Sequence, residues 1–167
     1  MWLSTPQVTF QLLNMQTVRL IAPDQVLAHW PLFREGHRTL RQMSNAMVSE
    51  DDYCKMITTL SARGDDVYIA LVQDGERDVC YGVAINSTPP YSEKRTFEII
   101  TYYHNPARRD ATLMLKQEFE TWCRAQGVHS YLITTRQSRR TSGGTDDCFT
   151  AKHYGFRKAY LAFEKKL

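Results

Sequence analysis

Two adjacent arginines, Arg108 and Arg109, stand between a strand-like run and the start of an amphipathic helix. The first turn of a helix carries unsatisfied backbone N–H groups and the positive end of the macrodipole. Two guanidinium groups beside that turn aim donors and charge at one point, which suits phosphate oxygens; the alternative is a pair of solvated charges ahead of an ordinary helix. The residues that would present the N–H groups are Arg109, Asp110, Ala111, Thr112 and, further on, Met114. Upstream, Glu98 sits among Phe97, Ile99, Ile100 and Tyr102. A half-buried carboxylate there can act as a general base, or it can pair with Lys94, Arg95 or a cross-strand cation. Two-residue alternation puts Tyr102 and His104 on the face of Glu98, lining a pocket or serving as core. Near the C-terminus Tyr154 precedes Gly155-Phe156, with proton donation and packing both open to it.

These groups need elements to place them. Residues 95–103 (RTFEIITYY) predict a strand and 104–109 (HNPARR) a turn, in which Pro106 discourages helix. Residues 110–126 predict a helix, capped by Asp110 and burying Ala111, Leu115, Phe119, Trp122 and Cys123 along one face. Gly127 ends it, and 130–135 (SYLITT) predict another strand. Upstream, 17–22 reads as a strand, 8–13 as an additional strand, and 23–34 as a helix entered at Pro23. The stretch 35–48 has no clear period. Ser49 then caps a helix with acids in its first turn and a stripe of Tyr53, Met56, Ile57 and Leu60. Strands 67–73 and 78–86 flank Asp74-Gly75, a hairpin signal. Residues 87–94, with Pro89-Pro90, form a loop, and 158–164 a final strand.

This order of elements, the strand–turn–helix of 95–126, and Gly155-Phe156 followed by a strand together resemble the core of the GNAT superfamily of acyl-CoA-dependent N-acetyltransferases. The resemblance covers about residues 15–167. It implies one domain over 1–167, of α+β class: a GNAT-like three-layer fold whose central mixed, mostly antiparallel sheet carries helices on both faces. It also implies acetyl-CoA as cosubstrate and direct transfer of the acetyl group to an amine in a ternary complex. On that basis the pyrophosphate would lie against Arg108, Arg109 and the N–H groups of Asp110, Ala111, Thr112 and Met114. The pantetheine arm would follow the backbone of Ile100, Thr101, Tyr102, Tyr103 and His104. Glu98 would be the base and Tyr154 the residue nearest the acid's place. Aligned on Pro106, Arg109 takes the family's arginine position, while Thr112 and Met114 stand where small residues are usual and Ala151 where many members carry a tyrosine acid. Those departures favour the alternative reading, a catalytically inactive chain of the same fold, phage-derived for instance, that binds a partner or serves a structural role. The acceptor, small molecule or protein, is left open, and so is a homodimer.

Composition narrows the remaining classes. A formal charge of +3 and a pI near 8.7 suit an anionic small ligand and are too weak to argue for nucleic acid. The rival nucleic-acid reading rests on Arg136, Arg139, Arg140, Lys152 and Arg157, the first three in a basic loop at 136–145. Cysteines 54, 80, 123 and 148 form no C-x-x-C pair and are expected as buried, reduced thiols. The five histidines have no metal-ligand spacing, so no metal is expected. The N-terminus shows neither a signal peptide nor a membrane span, and a cytoplasmic protein is the expectation.

Overall fold

The computed structural model describes residues 16–43, 49–103, 105 and 107–133. The expected strands at 8–13 and 158–164, the end of the strand at 130–135 and the basic loop at 136–145 lie outside the described residues. Among the described residues five strands make one sheet in sequence order: β1 (Gln16–Leu20), β2 (Val67–Asp74), β3 (Arg77–Asn86), β4 (Thr96–Tyr103) and β5 (Ser130–Ile133). The first four run antiparallel to one another in succession and β5 runs parallel to β4. A parallel neighbour requires a crossover, which α3 (Arg109–Ala125) supplies.

Strand alternation divides the core. Tyr68, Ala70, Val72, Cys80, Ala84 and Phe97 pack with Ala111, Leu115, Phe119 and Cys123 of α3. Ile69, Leu71, Tyr81 and Val83 point the other way, onto Phe33 of α1 (Trp30–Met43) and Tyr53 and Ile57 of α2 (Glu50–Ser61). With helices on both faces, β2 is buried along most of its length, hence its unbroken apolar run. The sheet is mixed and mostly antiparallel, as the sequence implies.

Local chemistry sets the boundaries. Ser49 accepts the Asp52 N–H at 3.1 Å and caps α2. Gly127, at φ +66°, ends α3 with Val128 N–H on Cys123 O and Gly127 N–H on Arg124 O, the paired bonds of a Schellman motif. Two expectations change. Residues Pro23–His29 form a 3₁₀ segment, and the α-helix begins at Trp30 and runs through much of the stretch without clear period. Its buried residues, Leu32, Phe33, Gly36 and His37, include a glycine and a histidine, so a hydrophobic count misses the stripe. Asp110 is also not the cap of α3. Arg108 occupies that position and Asp110 lies inside the first turn.

Candidate functional site

β4 carries the decisive irregularity. Ile99 pairs with Ala84 and Thr101 with Val83, leaving Ile100 as an extra residue, a β-bulge. The bulge breaks two-residue alternation. Glu98 pairs with Ile85, Thr101 with Val83 and Tyr103 with Tyr81, so Glu98, Thr101 and Tyr103 share the α1/α2 face. Tyr102 pairs with Gly82, which faces Leu115 of α3. Tyr102 therefore does not share the face of Glu98, contrary to simple alternation, and it is 53% exposed. Ile100 packs onto the α1/α2 cluster. Glu98 is half-buried, and Arg95 donates to Asp65 O at 2.6 Å and Gln126 O at 3.2 Å.

Beneath the bulge lies a hydroxyl cluster that periodicity did not single out. Tyr53 Oη is 2.8 Å from Tyr81 Oη and 3.0 Å from Thr101 Oγ1, all buried. Burial raises both phenol pKa values, most strongly that of Tyr81, so both remain neutral donors. The legible signal was Tyr81 itself, since a tyrosine in a buried strand needs a partner for its hydroxyl.

The turn into α3 is built by Asn105, whose side chain accepts the Ala107 N–H at 3.0 Å and whose carbonyl accepts the Arg108 N–H at 2.9 Å. Arg108 is held by protein carboxylates. Its Nη1 is 2.5 Å from Asp74 Oδ2, and its Nη2 and Nε are 3.2 and 3.3 Å from Asp110. Gln16 of β1 adds a 2.5 Å bond to Asp110. Hydrogen bonds from Arg108 and then Gln16 lower the Asp110 pKa to about 2. The sequence reading of Arg108 as a phosphate ligand did not anticipate Asp74, because strand pairing alone brings it there. Arg109 is exposed and has no ion pair among the described residues. Ala111 and Met114 turn their side chains to the α3 core, leaving only their backbone for any ligand. Thr112 is half-buried. His104 and Tyr154 lie outside the described residues.

Between α1, the β2–β3 hairpin and the end of β4 opens a cleft of about 410 Å³. Glu35, Glu76, Arg77, Asp78, Tyr103 and Asn105 line it. Asp78 is bonded to His29 at 2.7 Å and Gln73 at 2.9 Å. Burial, then the charge of Glu35, raises the Tyr103 pKa, with Arg77 opposing. Burial pushes the Cys80 thiol up to about 12 and Cys123 to about 11, so neither is poised as a nucleophile. Among the described residues no group of three or more His, Cys, Asp or Glu could hold a metal ion, and no helix is long and apolar enough to cross a membrane.

A mixed sheet lies between helical layers, and its bulged strand β4 leads through a turn into the crossover helix α3. The fold is that of the GNAT acetyltransferases. A possible acetyltransferase from Clostridium difficile 630 superposes with a TM-score of 0.68 at 9% identity, over 91% of this chain and 97% of that one. An aminoglycoside acetyltransferase from an uncultured soil metagenomic sample, solved with trehalose, gives 0.66 at 13% identity over 92% and 97%. Glucosamine-6-phosphate N-acetyltransferase from Arabidopsis thaliana gives 0.61 at 11% identity over 91% and 98%. No family model and no curated protein sequence matches the chain.

Proposed function

We propose that the chain is an acetyl-CoA-dependent N-acetyltransferase, a single domain over 1–167 that moves an acetyl group directly to an amine. The observation that carries this reading is spatial. The bulge at Ile100, the exposed Arg109 with the first-turn N–H groups of α3, and the cleft beside Tyr103 all gather toward the C-terminal end of β4. The residues fit an anionic, elongated cosubstrate in part. Arg109 and the N–H groups of the first turn would face the pyrophosphate, and the backbone of Ile100–Tyr103 the pantetheine arm. Arg108 holds the turn, tying α3 to β2, with its charge balanced by Asp74 and Asp110.

Acetyl-CoA supplies the activated thioester. Glu98, on the same face as Thr101 and Tyr103, would remove the proton that an amine must lose to become a nucleophile. Glu35 and Glu76 at the cleft give an ammonium group favourable charge on its way in.

A second reading, a chain that keeps the fold for binding without transfer, is favoured by the neutralised Arg108 and by side-chain-bearing Thr112 and Met114 where small residues are usual. Calorimetric titration with acetyl-CoA, against dephospho-CoA and ATP, tests the two. Micromolar binding that requires the pantetheine arm supports the transferase, and an amine-acceptor screen follows. Silence at millimolar acetyl-CoA refutes it and leaves the binding role.

A further inference from the structure

The bulge in β4 is a choice of register, and something must select it. Were β4 to pair without the bulge, Ile100 would oppose Val83, Thr101 would oppose Gly82, and Tyr102 would oppose Tyr81. Thr101 would then face α3, since a one-residue shift exchanges the two faces of a strand. Only the bulged register puts the Thr101 hydroxyl at 3.0 Å from Tyr53 Oη.

Losing that contact would leave buried phenols short of a partner. Tyr53 and Tyr81 are 1% and 0% exposed, and Thr101 is 5% exposed. Water cannot replace Thr101 at such positions without opening the core, and a buried hydroxyl without a partner is costly. The cluster is also compact. Tyr53 Oη reaches both Tyr81 Oη at 2.8 Å and Thr101 Oγ1 at 3.0 Å, so one phenol joins the other two hydroxyls. Both phenols are braced from behind. α1 passes over Tyr81 at Gly36, and His37 lies tilted against Tyr53 at 5.0 Å between ring centroids.

We infer that Tyr53, Tyr81 and Thr101 form a register lock: Tyr53 is a positioning residue that, through Thr101, fixes the bulge at Ile100 and hence the backbone on which acyl transfer would depend. The lock ties α2 and β3 to the bulge, three elements distant in sequence. Its consequence for activity rests on the proposed transferase reading, and its consequence for β4 does not.

The test compares Thr101→Val, which keeps shape and strand propensity but removes the hydroxyl, with Thr101→Ser, which keeps the hydroxyl. Tyr53→Phe is the partner variant. Amide hydrogen exchange is read along β4 and, as internal control, along β2. The lock predicts exchange about ten- to a hundred-fold faster at Ile100 and Thr101 in Thr101→Val and Tyr53→Phe. It predicts wild-type exchange in Thr101→Ser and little change in β2. Acetyl-CoA affinity should fall about tenfold in the first two variants and recover in the third. Equal acceleration across β2 and β4 would reduce the cluster to an ordinary satisfied core group and overturn the proposal, as would unchanged exchange in Thr101→Val. If the wild-type protein does not bind acetyl-CoA, the transferase reading fails, while the exchange result still decides the lock.

Discussion

Replacing Gly36 with alanine should unfold the protein more easily, although alanine is the better helix former. On an exposed helix the change would stabilise by about 1 kcal/mol. At this position a Cβ would meet Tyr81 Oη at 2.1 Å and two ring carbons at 2.6 and 2.7 Å. Tyr81 is fully buried and packs on Phe33 at 4.5 Å between centroids, so it has nowhere to retreat. Overpacking of this kind costs about 1–3 kcal/mol. Moving the Tyr81 ring also strains its 2.8 Å bond to Tyr53, worth about 1–3 kcal/mol if a phenol loses its partner. Against the helix gain, the net loss is about 1–5 kcal/mol. With a urea slope of about 2 kcal/mol/M, the midpoint should fall by about 0.5–2.5 M. Equilibrium urea unfolding followed by tryptophan fluorescence and circular dichroism reads the shift. A midpoint equal to or above wild type would refute the docking of α1 on Tyr81 and, with it, the bracing of the hydroxyl cluster.

Arg109→Ala should weaken acetyl-CoA binding several-fold in calorimetry, and unchanged affinity would remove the first turn of α3 from the cosubstrate site. Asp110→Asn should act in the opposite direction, since it takes a negative charge from that turn and loosens the hold on Arg108. Glu98→Gln should lower turnover about a hundred-fold or more while leaving acetyl-CoA affinity intact; a parallel loss of both would make Glu98 structural. The carboxyl of Asp110, ordinarily near 3.8, is depressed to about 2 in the folded chain. A depressed carboxylate contributes stability that is present above its unfolded pKa and lost as pH falls through the folded value. The difference in stability between wild type and Asp110→Asn should therefore vanish between about pH 4 and pH 2 in acid titrations of the unfolding midpoint.

Much of the layer plan was readable because local chemistry and global packing agree along most of the chain. Ser49 with its acidic turn, the 74–77 hairpin, the apolar run of β2 and the Ala111, Leu115, Phe119, Cys123 stripe each announce an element and its buried side. The reading failed where the stripe was built from atypical residues, as with Gly36 and His37 of α1. It failed again at β4, where one additional residue reverses the faces. A bulge leaves no mark in hydrophobic alternation, because Ile100 and Thr101 are both acceptable strand residues.

The sequence alone determined most of the strands, α2 and α3, and marked a turn where helix N–H groups could meet an anion, since these depend on neighbours within a few residues. Tertiary structure decided which charges remain available and which side chains share a face. Arg108 reads as an anion ligand in a linear chain, and only the fold shows that β2 brings Asp74 within 2.5 Å of it. Thr101 looks like an ordinary strand residue and becomes part of a buried hydroxyl cluster only when α2 and β3 close over it. Partnership across 28 to 48 residues depends on register and packing, and no local pattern carries that information.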